Sequence, residues 1–194
     1  MSKPTSALAA LTVLSACLIL APSCKSSSSG NALPQGKTVY ARVCLHAEWD
    51  QDHYKSYSTN FVGTPDVFPP GHAFQVLSND DSPLDLADSK TGKRLSIEFV
   101  PKHNQMNFET WFAETFSESK PSLPSSLSPA ERKAVERCKA EVGMSRAALF
   151  LAWGYPPASL TPSRNGESLI YQWKRFDKME VRLDSKGRVD RIID

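Results

Sequence analysis

Residues 142–157 read Val142-Gly143-Met144-Ser145-Arg146-Ala147-Ala148-Leu149-Phe150-Leu151-Ala152-Trp153-Gly154-Tyr155-Pro156-Pro157, and this run organises the C-terminal third of the chain. Gly143 suits the left-handed position that closes a preceding helix. Ser145 can cap a second helix, whose apolar body runs to Trp153. Gly154 and the two prolines stop it, because proline disfavours helix in the residue before it. Upstream, Ser128-Pro129-Ala130-Glu131 starts the first helix with a serine cap, a proline at the first helical position and a carboxylate near the positive end of the dipole. Ala134, Val135, Cys138 and Val142 form that helix's apolar stripe. Downstream, Leu169, Tyr171 and Trp173 alternate with Ile170, Gln172 and Lys174, and Met179, Val181 and Leu183 with Glu180, Arg182 and Asp184. Asp184-Ser185-Lys186-Gly187 is a turn into a last strand over 189–193. Residues 129–194 are therefore expected to form two helices and three antiparallel strands, a two-layer ααβββ unit of α+β class.

The same run resembles the signature of the SmpA/OmlA, or BamE-like, outer-membrane lipoprotein domain. That family has Gly-Met-Ser/Thr, an apolar helix, then Leu or Trp with Gly-x-Pro. Aromatic residues follow on the first strand, here Tyr171 and Trp173, and a closing V-x-x-I strand, here Val189 to Ile192. The likeness covers the last third of the chain and rests on the fixed spacing of Gly143, Ser145, Gly154 and Pro156. It departs from the family at Ala148, where an acidic residue or glutamine would complete a capping box, so the second helix is expected to start less firmly. The resemblance implies a non-catalytic envelope lipoprotein that binds protein partners, in outer-membrane assembly or stability. Related ααβββ units occur in secreted inhibitors of β-lactamases, which makes an inhibitor-like domain a further alternative. Tyr155, pinned between Gly154 and Pro156, is the foremost candidate contact residue. Trp173 and Arg175 join it, although Trp153 and Trp173 read first as core.

Lys120-Pro121-Ser122-Leu123-Pro124-Ser125-Ser126-Leu127 has no periodicity, and residues 120–128 read as a linker. Residues 37–119 before it read as a strand-rich module. Val39, Ala41, Val43 and Leu45 alternate as a half-buried strand, Pro69-Pro70-Gly71 turns into a second over 72–77, and Arg94 to Val100 is a third. Phe108, Trp111, Phe112, Thr115 and Phe116 recur at helical spacing, giving a short helix over 107–117. Strand, proline-glycine turn, strand resembles the small Src-homology-3-like barrels of bacterial envelope proteins. Such a barrel suggests the alternative function, a peptidoglycan-binding cell-wall module. The cluster from His46 to His53 matches no metal-ligand spacing and reads as a solvated loop. Lys102-His103-Asn104 reads as a connector between strand and helix.

Residues 1–24 carry one basic residue, Lys3, ahead of an uncharged apolar run from Ala7 to Ala21. That run is short for a membrane span and has the pattern of a secretory signal. Leu14-Ser15-Ala16-Cys17 resembles the lipobox of bacterial lipoproteins, which makes Cys17 the expected site of lipidation. Cys24 is the alternative, because Lys25-Ser26-Ser27-Ser28-Ser29-Gly30 behind it makes a flexible tether, taken to span 25–36. The absence of an acidic residue after either cysteine points, by resemblance to other lipoproteins, to the outer membrane. Cys138, on a helical face with Ala134 and Val142, reads as a buried free thiol, with Cys44 its one potential partner in the folded part. The net charge of +2 gives no reason to expect nucleic acid. No G-x-S-x-G elbow, H-E-x-x-H pair or phosphate loop appears, so no catalytic residue, metal or cofactor is assigned.

Overall fold

The computed structural model describes residues 35–78 and 82–194. Cys17, Cys24, the leader over 1–24 and residues 25–34 of the tether lie outside them. The chain is mixed α+β, with a strand-rich curled sheet, a second small sheet and a few helices.

The larger sheet contains β1 (Thr38–Ala41), β2 (Leu45–Asp50), β3 (His53–Tyr57), β4 (Asp66–Phe68), β5 (Ala73–Ser78), β6 (Leu84–Asp88), β7 (Arg94–Glu98) and β8 (Phe116–Ser117). Their order is β4-β2-β3-β7-β6-β5-β1-β8, and among these pairs only β3 and β7 run parallel. Chain length dictates the curl. Only Pro69, Pro70, Gly71 and His72 join β4 to β5, a reach of at most about 18 Å. On a flat sheet those strands, five positions apart, would stand about 24 Å from each other. The sheet must roll up. Phe68 accordingly lies edge-to-face on Phe74, ring centroids 5.2 Å apart.

The single strand expected over 39–45 is two strands. At the break, the Arg42 amide donates to Thr115 O and the Cys44 amide to Leu151 O, so long-range partners replace the ladder. The expected helix over 107–117 is α2 (Phe108–Thr115), capped by Asn107, while Phe116 and Ser117 return to the sheet as β8. A single turn, α1 (Pro101–Asn104), precedes it. Trp111 and Phe112 pack on Phe116 and close one end of the rolled sheet over a core of Phe74, Leu84, Leu86, Leu95 and Ile97.

The C-terminal elements are α3 (Pro129–Glu136), α4 (Arg146–Trp153), β9 (Ser168–Gln172), β10 (Lys178–Leu183) and β11 (Val189–Ile193). The three strands form an antiparallel meander. They share a core with the helices, including Val135, Leu149, Trp153, Leu169, Tyr171 and Val181.

Three expectations need correction here. Helix α3 stops well before Gly143. Cys138 takes φ +54°, its amide bonds to Val135 O and the Lys139 amide to Ala134 O, which is a Schellman ending with cysteine in the usual glycine place. Val142 therefore leaves the stripe and is 67% exposed. Cys138 is also not a free thiol, because it forms a disulfide with Cys44, closing a sequence separation of 94 residues. Finally, α4 does not start loosely. Glu131 completes a capping box with Ser128 and sends its second oxygen to the Ser145 amide at 2.8 Å. A carboxylate on the neighbouring helix thus does the work Ala148 cannot.

Candidate functional site

The two sheets meet at a polar seam. Asn60, at φ +50°, accepts from the His46 amide and donates to the carbonyls of Cys44 and Trp153 at 2.9 and 2.8 Å. His46 is 2% exposed, and its Nε2–H donates to Ala152 O at 3.2 Å. Burial lowers its pKa to about 4, so the ring is neutral near pH 7. His53 lies four positions away along the β2–β3 ladder, half-buried, with Nδ1 2.8 Å from the exposed Asp52 carboxylate. The cluster expected as a solvated loop is instead the β2–β3 hairpin with His46 buried in it, and its two histidines meet different partners. Among the described residues no group of three or more metal-ligating side chains converges.

Beside the seam is a small cleft lined by Ser58, Asn104, Trp111, Glu114 and Tyr155, with about 30 Å³ of room for water-sized molecules. Tyr155 is half-buried there. Its ring lies 5.2 Å from Phe150, and the Arg164 guanidinium sits 4.0 Å from its centroid. Arg164 in turn grips both oxygens of Glu114 at 2.8 Å. Both ring contacts are internal, and Tyr155 works as part of a latch across the cleft.

Trp173 is likewise engaged inside the molecule. A Cβ on Gly63 would come within 2.6 Å of its indole, and the Gly63 amide donates to Trp173 O at 2.8 Å. With Val62 donating to Gln172 O, residues 62–63 lie along the outer edge of β9. Tyr171 is fully buried beside Trp153, and its hydroxyl, which burial holds protonated, donates to Gly154 O.

Arg175 is different. It stands on the β9–β10 turn, its guanidinium 5.5 Å from the ring of Phe176, and Phe176 is 84% exposed. The turn is stiff. Gln172 Nε2 donates towards the carbonyls of Lys174, Arg175 and Asp177 at 2.6, 3.1 and 3.3 Å, and the Trp173 amide donates to Asp177 O. Lys174 and Lys178 stand two positions to either side of Phe176 in the chain, so the tip carries one exposed aromatic among basic residues. The sequence reading names Arg175 as a contact candidate and leaves out Phe176. The available signal was an aromatic residue at the point where alternation lapses into a charged turn.

One pairing has the shape of nucleophile and base: His103 Nδ1 lies 3.2 Å from Ser159 Oγ. Both residues are exposed, and no carboxylate orients the imidazole among the described residues. Comparison with known proteins returns no match, whether against family models, curated proteins or solved structures.

Proposed function

We propose that the protein is an exported, lipid-anchored envelope protein that binds a protein partner and performs no chemistry itself. The observation that carries the reading is the stiff β9–β10 tip, with Phe176 exposed and Arg175 beside it. Aromatic and arginine side chains are the usual anchors of protein interfaces, and a preordered loop loses little entropy on docking. The Cys44–Cys138 disulfide supports export, since such bonds persist in oxidising compartments. Residues 129–194 are then the ααβββ unit that resembles SmpA/OmlA, and the leader with Cys17 or Cys24 supplies the anchor.

Two measurements test this together. A photo-cross-linker at position 176 in intact envelopes should give one discrete protein adduct, while the same group at Lys186, on the opposite turn of β10, should not. Radiolabelled palmitate should enter the chain and be lost on Cys17→Ser, or on Cys24→Ser if that cysteine carries the lipid. Recovery of the chain from the cytosol, leader intact and cysteines reduced, would retire the proposal.

A further inference from the structure

We infer that the β9–β10 tip docks on an acidic surface of another protein, where Arg175 pairs with a carboxylate beside an apolar socket that takes Phe176. The inference rests on the reading of this tip as the protein-docking element, and it names what the tip docks on. The arginines single the tip out. Residues 129–194 contain eight of them, and seven donate to a carbonyl or a carboxylate of the chain, as Arg146 does to Gly166 O and Arg182 to Glu180. Arg175 is the eighth. Its backbone carbonyl accepts from Gln172 Nε2, but among the described residues its guanidinium donates no hydrogen bond and joins no ion pair. All five of its N–H donors are unspent. A planar fork of this kind takes both oxygens of a carboxylate at once, which makes arginine the usual cation of interface ion pairs.

Phe176 supplies the dry side of the contact. It is the most exposed large apolar side chain among the described residues and adjoins Arg175 in the chain. Seated in an apolar socket, the ring would keep water from the ion pair next to it, and an ion pair shielded in this way holds more strongly. Little ordering is left to do on docking. The Gln172 side chain and the Trp173 amide fix the turn, and the Gly63 amide fixes Trp173 O at its base. Charge gives the sign of the partner. Residues 120–194 carry 14 Lys and Arg against 9 Asp and Glu, a net +5, while residues 37–119 carry 7 against 12, a net −5. An acidic partner is therefore drawn to the C-terminal half and turned away from the other, which orients its approach. Lys174 and Lys178, which join no ion pair among the described residues, add to that field at the tip itself. Asp177 argues against an anionic lipid surface as the target. It is exposed and adjoins Phe176, so sinking the ring into headgroups would press a carboxylate onto them, whereas a protein socket can leave it in water.

The test starts from a photoreactive phenylalanine analogue at position 176 in intact envelopes, with mass spectrometry of the adduct to locate the captured peptide. That peptide should lie at a site where Asp or Glu borders apolar residues. Affinity of the otherwise unaltered full chain in detergent for the captured protein then reads the chemistry. Arg175→Glu should weaken binding by about tenfold or more, the loss expected of an arginine anchor. Arg175→Lys, which keeps the charge but not the paired donors, should fall between it and the parent. Lys186→Glu, on the other turn of β10, should change nothing. Changing the partner's carboxylate to arginine should restore binding to Arg175→Glu, which a merely misfolded tip would not allow. Added salt should slow association, because it screens the field that steers it. A protein adduct whose affinity ignores Arg175→Glu and salt would overturn this inference and leave the docking reading standing. Capture of phospholipid, or of a second copy of the chain, would overturn it too, and the absence of any adduct would retire both.

Discussion

The curled sheet and the three-stranded meander deal with their edges in opposite ways. The eight-stranded sheet rolls until β4 approaches β5, is plugged at one end by Trp111 and Phe112, and fills its interior with its own aromatic residues. The meander covers one face with α3 and α4 but borrows its outer edge from the other half, through the backbone of Val62 and Gly63 against β9. One region closes its edges on itself, and the other closes one edge on its neighbour. The fastenings accordingly converge on the seam: the disulfide, the Asn60 bonds and the Cys44 amide on Leu151 O all join residues of β2 and its approaches to the C-terminal elements. The difference teaches that residues 129–194 owe part of their order to contacts that their own sequence does not contain.

The strongest way to break that dependence is to remove the covalent fastening. A cross-link closing a loop of this length restricts the unfolded chain heavily, worth about 4.7 kcal/mol in the chain-entropy view. Cys44→Ala with Cys138→Ala should lower stability by that order. The meander should loosen first, seen as loss of tertiary signal from Trp153 and Trp173 before the aromatic core of the curled sheet. Thermal unfolding followed by near-ultraviolet circular dichroism reads both. A double variant that melts in one step at the parent temperature contradicts the comparison.

Acid should separate the two regions in sequence. Burial depresses His46 from 6.5 to about 4, so the unfolded chain takes the proton first. Stability therefore declines as pH falls from about 6.5 to about 4, by roughly 3 kcal/mol, and then levels for this group. Glu131 behaves as a depressed carboxylate. Burial alone would raise it, but hydrogen bonds from the Ser145 and Ser128 amides overcome that and hold it at about 2, against an ordinary 4.5. Its contribution is whole above pH 4.5 and is lost as pH falls towards 2, again by roughly 3 kcal/mol. His46→Gln should remove the upper window and Glu131→Gln the lower one. Denaturant titrations at half-unit pH steps check the assignment.

Glu131 also shows which features were legible in the sequence. Local chemistry could be read: Ser128, Pro129 and Ser145 begin helices where their side chains say they should, Gly154 ends one at φ +72°, and the alternation from Leu169 to Leu183 marks two real strands. What escaped depends on partners distant in sequence. Nothing near Ala148 announces that Glu131, on another helix, will satisfy the Ser145 amide. Nothing near Cys138 announces a left-handed turn or a disulfide partner far up the chain. The parallel pairing of β3 with β7 and the roll of the sheet are equally non-local. The candidate site divided the same way. Tyr155 and Trp173 carry chemistry suited to contacts, and each has neighbours inside the molecule while staying partly exposed. Arg175 stayed exposed because a short, charged hairpin turn has nothing to pack against.

A smaller perturbation sharpens the borrowed edge. Gly63→Ala places a methyl 2.6 Å from the Trp173 ring and 2.7 Å from its carbonyl oxygen, so residues 62–63 must retreat from β9. Overpacking of this kind costs about 1–3 kcal/mol. Its signature should be local: faster amide exchange at Val62 and Gly63, with the β5–β6 and β6–β7 ladders unchanged. Equal loosening of the curled sheet would mean that the dependence runs both ways.

The smallest expected effect on stability belongs to Phe176, and that smallness is the point. At 84% exposure the ring buries little on folding, and the turn is held by Gln172 and the Asp177 carbonyl rather than by the ring. Phe176→Ala should therefore change unfolding free energy by no more than about 0.5 kcal/mol, the range of ordinary surface substitutions. Gln172→Ala removes the clamp and should cost more, while leaving Phe176 itself in place. Side by side, the variants separate a ring kept for recognition from a ring kept for packing. If Phe176→Ala destabilises the meander as much as Gln172→Ala does, the aromatic is a missed part of the fold and the β9–β10 turn loses its claim to be a docking tip.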